Sequence, residues 1–234
     1  MITSVILCGG KNSRISLYDN KIIKPLIKIK NQTILEHHLS KINKIKIVDI
    51  YVNTHKNINS FFKLRKEKKL NFKIIKEKKL SGTAGVIVNN LEKFSDKILV
   101  IYGDNFIDWN IKEFVKTFNF YNCDLLVGVY KKRDLSASGN VKFTKKNKIY
   151  SFHEKNEKFK NVTGYANAGV YLIQKKFLKK FLNKKKNFLD FGKDIFSKNI
   201  QMHNCKIYKI KSCICFDTGT LYKENIIKFK KIIF

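Results

Sequence analysis

The chain has 234 residues, of which 44% are hydrophobic and 13% aromatic. This is enough apolar material for a buried core, so the composition excludes a disordered chain. The opening apolar run is too short for the core of a signal peptide, and no later segment reaches the ~18 uncharged residues of a membrane span. The cysteines form no C-x-x-C pair, which favours reduced thiols. We therefore expect a soluble, cytoplasmic protein with no membrane partner.

The charge balance is strongly basic, with 49 Lys and Arg residues against 18 Asp and Glu residues and a net charge of +31. Such a charge suggests a nucleic acid partner, because clustered cations neutralise phosphates. However, only Arg14, Arg65 and Arg133 are arginines. Arginine is better suited than lysine to form paired hydrogen bonds with base edges and with phosphate groups. The lysines are spread along the whole chain. We expect no specific nucleic acid binding, but an electric field that attracts anionic substrates.

Apolar, β-branched runs predict strands, and helical spacing predicts helices between them. The predicted strands are 3–8, 45–52, 72–76, 98–102, 125–130, 141–143, 149–153, 169–173, 206–210 and 213–216. The predicted helices are 33–42, 58–67, 83–94, 110–121, 175–182, 190–200 and 221–234. Strand and helix alternate in the first half, which implies an α/β fold with a mostly parallel sheet covered on both faces. We expect an antiparallel excursion around residues 130–165 and one domain over residues 1–234.

The stretch "VILCGGKNSRI", residues 5–15, joins the first predicted strand to a glycine turn and two cations. Ligands of open α/β sheets lie beyond the carboxyl ends of the strands. Gly9 and Gly10 allow the backbone to approach an anion closely, and Arg14 adds a permanent positive charge. The stretch matches neither the P-loop nor the G-x-G-x-x-G pattern. On the residues alone, a phosphate site and a simple turn between strand and helix are equally good interpretations.

Two aspartates also follow predicted strands. Asp104 ends "KILVIYGD", and Asp217 comes directly after "CICF". Magnesium takes one or two carboxylates together with phosphate oxygens and water, so this pair suits a Mg²⁺ site. The alternatives are a turn aspartate at Asp104 and a helix cap at Asp217, and the residues alone leave both open.

Motifs along the whole chain resemble those of the sugar-phosphate nucleotidyltransferases. The first are "CGGKNSRI" at 8–15, which is similar to the usual G-G-x-G-[TS]-R-L, and a Lys-Pro in "IKPLIKIKNQTILEHHL" at 23–39. The others are "LSGTAGVI" (80–87), "YGDN" (102–105), "FHEKN" (152–156), "YANAGVYLI" (165–173), "DFGKDIF" (190–196) and "CFDTGT" (215–220). No single motif is specific, but their order and spacing together indicate the family. Asn12 stands where the family usually has its third glycine, and Asn tolerates a positive φ.

The resemblance implies a Rossmann-like sheet with a small antiparallel extension, and it assigns roles to particular residues. Catalytic roles fall on Arg14, Lys24 and Asp104, and Mg²⁺ ligation falls on Asp104 and Asp217. The implied nucleotide-binding residues are Leu7, Gly9, Gly10, Asn12, Ser13, Gly82, Thr83 and Gly103. The implied sugar-phosphate contacts are Gly139, Glu154, Lys155 and Asn167.

The reaction that the resemblance implies joins a nucleoside triphosphate to a sugar 1-phosphate and releases pyrophosphate. "SGTAGVI" at 81–87 resembles the G-T-[AG]-G signature of guanylyl-transferring members, and the short chain resembles the heptose 1-phosphate guanylyltransferases. This implies GTP with a heptose or mannose-like 1-phosphate. Cytidylyl, uridylyl or thymidylyl transfer to another sugar phosphate is one alternative. A non-catalytic relative that binds a nucleotide-sugar is another, and Asn12 hints at it.

Length and surface give two further expectations. The chain stops soon after its last predicted helix, which leaves no room for the left-handed β-helix domain of longer relatives, so we expect no second activity. The resemblance implies a homo-oligomer, although the lysine-rich surface shows no readable interface.

Overall fold

The fold is described by a computed structural model that covers residues 1–10, 15–182, 188–216 and 218–231. The strands are β1 (Ile2–Leu7), β2 (Lys28–Ile29), β3 (Gln32–Thr33), β4 (Asp49–Thr54), β5 (Lys73–Lys76), β6 (Lys97–Tyr102), β7 (Asn105–Asp108), β8 (Leu125–Lys132), β9 (Asn140–Phe143), β10 (Ile149–His153), β11 (Gly164–Gln174), β12 (Cys205–Lys209) and β13 (Ser212–Cys215). The helices are α1 (Ile34–Ile42), α2 (Ile58–Glu67), α3 (Gly85–Val88), α4 (Ile111–Tyr121), α5 (Lys175–Lys179), α6 (Ser197–Asn199) and α7 (Gly219–Lys231), and a wider helical segment, Phe191–Phe196, precedes α6.

Within the described residues, nine strands form one mixed sheet. Its main path runs β10-β9-β11-β6-β1-β4-β5, and β8 and β12 continue the sheet beyond β11. Strands β6, β1, β4 and β5 are parallel neighbours, whereas β11 is antiparallel to both β6 and β8. The antiparallel hairpin β9–β10 lies beside β11. The predicted fold class is therefore confirmed, including the antiparallel excursion.

The sheet is buried on both faces, as the continuous apolar strands predicted. Along β6, Ile98 and Val100 belong to one hydrophobic cluster, whereas Leu99 and Ile101 belong to another on the opposite face. All four residues are fully buried. Successive side chains of a strand point to opposite faces, so a strand with two dry faces needs an unbroken apolar sequence.

Most predicted elements match the structure within two or three residues, but three differ more. Strand β11 begins at Gly164 instead of residue 169, because its first residues pair with the end of β8. Strand β4 begins at Asp49 instead of residue 45, because Ile45 still donates a helix-type hydrogen bond to the carbonyl of Ile42 after α1. The helix predicted over 83–94 is interrupted, and α3 covers only Gly85–Val88. The side chain of Asn90 donates to the carbonyl of Val86 at 2.9 Å, a local bond that competes with helix continuation.

Helix α1 fixes a short strand, β7, which the sequence did not predict. Thr33 and Glu36 form a reciprocal capping box that starts the helix. On its buried face, His37 Nε2 donates to the Ile107 carbonyl at 2.9 Å, and His38 Nε2 donates to the Asn105 carbonyl at 2.8 Å. Burial lowers the pKa of His38 to about 3, so this ring is neutral and structural. Among the described residues, no helix combines the length and apolar character that crossing a bilayer requires.

Candidate active site

The carboxyl ends of the parallel strands open into a cavity of about 240 Å³, referred to here as the first cavity. Its lining residues are Leu7, Cys8, Gly9, Gly10, Pro25, Asn53, Glu77, Leu80, Gly82, Thr83, Val86, Tyr102, Asp104 and Phe188. Five of them carry purely apolar side chains. A flat, partly apolar ligand suits such a space.

A hydrogen-bonded group of polar residues closes one wall of the first cavity. The side-chain oxygen of Asn53 accepts from the backbone N–H groups of Cys8 and Gly9, at 2.8 and 3.2 Å. Asn53 Nδ2 donates to Glu77 Oε2 at 2.5 Å, and Glu77 Oε1 accepts from the backbone and hydroxyl of Ser81 at 3.0 and 2.6 Å. A Cβ at Gly9 would lie 2.6 Å from Asn53 Nδ2. Only glycine therefore allows β1 to approach this wall.

Another part of the wall is the loop of residues 80–84, which is hydrogen-bonded to a segment distant in sequence. Gly82 has a φ of +87°, and a Cβ there would overlap the Leu189 carbonyl oxygen. The carbonyl of Leu189 accepts from the N–H groups of Ala84 and Gly85 at 3.0 and 2.9 Å, and its N–H donates to the Ser81 carbonyl at 2.7 Å. Gly82 therefore allows the backbone of Leu189 to approach closely, and it also lines the first cavity.

An ion pair lies where the first cavity meets its neighbour. Lys24 Nζ is 3.1 Å from Asp104 Oδ2, and the two side chains are 9% and 32% exposed. Lys24 is the first residue of a tight helical turn, Lys24–Leu26, that also contains Pro25, while Asp104 follows β6 and precedes β7. Two of the three residues with a predicted catalytic role, Lys24 and Asp104, are therefore brought together from segments 80 residues apart.

A second cavity, of about 430 Å³, adjoins the first and is mostly polar. Its lining residues are Gly10, Lys24, Thr83, Tyr102, Asp104, Asn105, Tyr130, Ala137, Ser138, Gly139, Glu154, Lys155, Asn167, Gly169, Asp190, Gly192, Lys193 and Cys215. Gly10, Thr83, Tyr102 and Asp104 line both cavities and form the partition between them.

The second cavity contains the carboxylates of Glu154 and Asp190. Burial, and then the charge of Asp190, raise the pKa of Glu154 above its ordinary value. Asp190 Oδ1 caps the following helical segment by accepting from the N–H groups of Gly192 and Lys193, at 2.9 and 3.1 Å. A Cβ at Gly192 would overlap Glu154 Oε1. Paired carboxylates in a polar cavity suit a ligand with several hydroxyl groups.

The structure brings most of the predicted site residues together. Leu7, Gly9, Gly10, Gly82 and Thr83 line the first cavity, and the four predicted sugar-phosphate residues, Gly139, Glu154, Lys155 and Asn167, line the second. Gly103 is absent from the described linings of both cavities. It donates to the Leu7 carbonyl at 2.9 Å, and a Cβ there would lie 2.5 Å from Cys8 Sγ. Asn12, Ser13, Arg14 and Asp217 lie outside the described residues.

The sequence analysis did not identify several residues of the two cavities. Asn53 is near the end of β4 and Glu77 directly follows β5, so the same rule about carboxyl ends of parallel strands could have found both. Asp190 opens the motif "DFGKDIF", but nothing in that motif distinguishes a cavity carboxylate from an ordinary helix cap. Among the described residues, no group of three or more His, Cys, Asp or Glu side chains is placed to hold a metal ion.

Comparison with known proteins gives relatives of one kind. The chain is 25% identical over 217 residues to the D-glycero-alpha-D-manno-heptose 1-phosphate guanylyltransferase of Campylobacter jejuni, with 92% of this chain and 91% of that protein covered. It is 27% identical over 180 residues to the bifunctional protein GlmU of Methanocaldococcus jannaschii, covering 74% of this chain but only 40% of that longer protein.

The fold is shared with a solved structure. HddC from Yersinia pseudotuberculosis, complexed with GMP-PN, superposes with a TM-score of 0.78 at 23% identity, and the match covers 98% of this chain and 100% of that one. The model of the nucleotidyl transferase family matches residues 3–224, which is nearly the whole chain. This protein therefore belongs to the nucleotidyl transferase family.

Proposed function

We propose that this protein transfers a nucleotidyl group from a nucleoside triphosphate to a sugar 1-phosphate and releases pyrophosphate, within a single domain of residues 1–234. The proposed nucleotide is GTP, and the proposed acceptor is a heptose or mannose-type sugar 1-phosphate. The observation that carries the proposal is the Lys24–Asp104 pair at the junction of the two cavities. Two substrates that lie in adjoining cavities would meet at this pair.

The two cavities differ in the way that the two substrates differ. The first has apolar side chains and the carboxylates of Glu77 and Asp104 around a small space, which suits a nucleobase next to phosphate groups. The second has carboxylates, amides and lysines, which suit the hydroxyl and phosphate groups of a sugar phosphate. The resemblance to the family adds Asn12 and Ser13 as nucleotide-binding residues and Arg14 as a catalytic residue.

Glu77 supports guanine as the base. Its carboxylate lines the first cavity. Asn53 and Ser81 fill three of its about four acceptor positions, which leaves one position for a donor of the base. Guanine presents two adjacent donors, N1–H and N2–H₂, whereas adenine and cytosine each present one amino group on this edge. The Campylobacter relative is named as a guanylyltransferase, and the Yersinia structure is described as a complex with GMP-PN; both agree with this choice.

A divalent cation is part of the proposal. The carboxylate of Asp104 lines both cavities and is partly exposed. This is a hard oxygen ligand of the kind that Mg²⁺ takes together with phosphate oxygens and water. Asp217 is the second proposed ligand. When bound, Mg²⁺ supplies charge neutralisation for the triphosphate.

The proposed step needs no nucleophilic side chain. A sugar 1-phosphate is largely a dianion at neutral pH because its second pKa is ~6. One of its oxygens forms a bond to the α-phosphorus, while the bond from that phosphorus to the β-phosphate bridging oxygen breaks and its electron pair leaves with pyrophosphate. The proposal assigns to Lys24 and Arg14 the neutralisation of charge on the phosphates, and alignment supplies the rest of the rate.

The test is a panel of GTP, ATP, CTP and UTP against heptose, mannose and glucose 1-phosphates with Mg²⁺, read by pyrophosphate release. The expected result is the highest kcat/KM for GTP with the heptose or mannose compound. A clear preference for another triphosphate would remove the guanylyl assignment and keep the reaction class. Binding of nucleotide-sugar without any pyrophosphate release would favour a non-catalytic relative.

A further inference from the structure

Phe188 differs from the other apolar residues that line the first cavity. Leu7, Pro25, Leu80 and Val86 are buried or half-buried, whereas Phe188 is 51% exposed. A phenylalanine ring that is half in water keeps apolar area that a ligand can still cover. Phe188 is therefore the apolar residue of this lining that gains most from an occupant of the cavity.

The backbone next to Phe188 is held against the loop of residues 80–84 and the start of α3. The N–H of Leu189 donates to the Ser81 carbonyl at 2.7 Å, and the Leu189 carbonyl accepts from the N–H groups of Ala84 and Gly85 at 3.0 and 2.9 Å. Leu189 itself is only 4% exposed. Three backbone hydrogen bonds of its neighbour thus fix the place of Phe188 in the wall, although Phe188 is itself exposed.

The same loop connects Phe188 with the carboxylate of Glu77. Ser81 donates to Glu77 Oε1 through its N–H and its hydroxyl, at 3.0 and 2.6 Å, and its carbonyl accepts from Leu189. One residue therefore holds both the carboxylate and the segment that carries the exposed ring. A nucleobase needs hydrogen-bond partners at its edge and apolar contact on its faces, and this wall supplies a group of each kind.

The other aromatic residue of the first cavity is already committed to packing within the protein. The ring of Tyr102 meets the ring of Tyr171 edge to face, with centroids 5.7 Å apart. A Cβ at Gly169 would lie 2.7 Å from Tyr102 Cγ, so the backbone of β11 lies against this ring. In the part of the chain that the structure describes, Phe188 has no aromatic neighbour of this kind. Of the two rings, Phe188 is the one that a ligand can cover.

We propose that Phe188 is the residue on which the nucleobase stacks in the first cavity, while Glu77 binds the edge of the same base. That the ligand is a nucleoside triphosphate rests on the proposed function. Stacking on an aromatic ring tolerates every base, because every base has a π face. Phe188 therefore contributes affinity for the nucleotide, and Glu77 contributes selection among bases.

The first experiment is titration calorimetry with α,β-methylene triphosphates, which resist transfer. The probes are the GTP analogue and the analogue of the triphosphate that binds next best. Phe188→Ala should weaken both at least about fivefold, the lower end of the loss on removing a stacked ring. The two factors should agree within about twofold, because stacking does not read the base. A loss confined to the GTP analogue would overturn the assignment of stacking.

Two further variants separate stacking from apolar contact and from general effects. Phe188→Leu keeps an apolar side chain but removes the π face, so it should lose affinity as Phe188→Ala does. Phe120→Ala removes a ring of α4 that is 82% exposed and is outside the described linings of both cavities, and its affinities should equal those of the wild type. Wild-type affinity in Phe188→Leu or in Phe188→Ala would overturn the inference.

A fluorescence measurement reports the contact directly. Trp109 is the single tryptophan of the chain and is 4% exposed, so its emission in the wild type provides the background. In Phe188→Trp, the GTP analogue should quench the added emission and mannose 1-phosphate alone should not, because a stacked base covers the indole. Unchanged emission on saturation with the GTP analogue would contradict the proposed contact.

Turnover distinguishes this inference from the proposed function. In Phe188→Ala, KM for the nucleotide should rise, while KM for the sugar 1-phosphate and kcat at saturation should stay near the wild-type values. Nucleotide binding that depends on Phe188 without any pyrophosphate release would remove the proposed reaction and leave the stacking role standing. Turnover with a nucleotide affinity that does not depend on Phe188 would do the opposite.

Discussion

The two cavities share a partition but are built on different principles. The first is formed by the carboxyl ends of parallel strands, with backbone groups, apolar side chains and one network around Glu77. The second is formed largely by the antiparallel half of the sheet and the helical segment that follows, and its walls carry ionisable side chains. The first cavity can select its ligand by shape and by a few fixed hydrogen-bond acceptors. The second cavity can select its ligand by complementary charge. Substitutions in the two cavities should therefore change different kinetic constants.

The largest effect is expected at Asp104, which is one of the four residues that line both cavities. Asp104→Asn should lower kcat/KM by about 100-fold or more, because it removes negative charge at the proposed Mg²⁺ site. Pyrophosphate release over a range of Mg²⁺ concentrations measures this. Asp108→Asn, at the other end of β7 and paired with Lys211 near the surface, is the matched control. Activity of Asp104→Asn close to that of the control would exclude Asp104 as a ligand.

In the first cavity, Glu77→Gln should change base preference more than rate. The amide places a donor where guanine needs an acceptor, and an unpaired buried donor costs about 1–3 kcal/mol. The kcat/KM ratio of GTP to the next best triphosphate should therefore fall by about tenfold to a hundredfold. Competition between triphosphates measures the ratio directly, with Glu67→Gln on the exposed face of α2 as the control. An unchanged ratio would mean that Glu77 does not read the base.

In the second cavity, Glu154→Gln should raise KM for the sugar phosphate by about tenfold and leave KM for the nucleotide nearly unchanged. The same substitution should also change how the stability of the folded protein depends on pH. The pKa of Glu154 is raised in the folded protein, mainly by burial, so folding favours its protonated form. The stability linked to this group is present at low pH and is lost as pH rises through the raised pKa.

Thermal unfolding of the wild type and of Glu154→Gln across pH 4 to 8 should therefore show a change in relative stability. The variant does not titrate at this position, so its melting temperature should increase relative to that of the wild type as pH rises. A difference that is constant with pH would contradict the raised pKa and leave the KM prediction intact.

The smallest effect is expected from added volume in the second cavity. Gly192→Ala would place a methyl group against the carboxylate of Glu154, but that carboxylate is the end of a flexible side chain and can rotate away. KM for the sugar phosphate should rise by less than about tenfold. Gly164→Ala crowds the flexible end of Leu135 outside both cavities and should leave KM unchanged. An equal effect from both substitutions would indicate a general loss of packing.

Sequence reasoning predicted the parallel half of the sheet and the residue Asp104 of the partition better than it predicted the antiparallel half. Asp104 and the glycines at 9 and 10 each follow an apolar strand, and a local rule about strand ends is sufficient to find them. Tyr171 gives no such signal, because a tyrosine within an apolar strand is typical of a core residue. Its contact with the ring of Tyr102 depends on the register between β11 and β6. Non-local pairing of this kind is not encoded in any short stretch of sequence.

The bonds between residues 81–85 and residues 189–191 also have a consequence for the order of folding. They join groups that are 107 and 108 positions apart in the two side-chain contacts of Thr83. Contacts of such long range close large loops and form slowly. During synthesis, β1, β4, β5 and β6 leave the ribosome long before residue 189 and can pair, while the loop after β5 still lacks its partner. We expect the central parallel strands to protect their amide hydrogens early in refolding and the amides of Ala84 and Gly85 to be protected late.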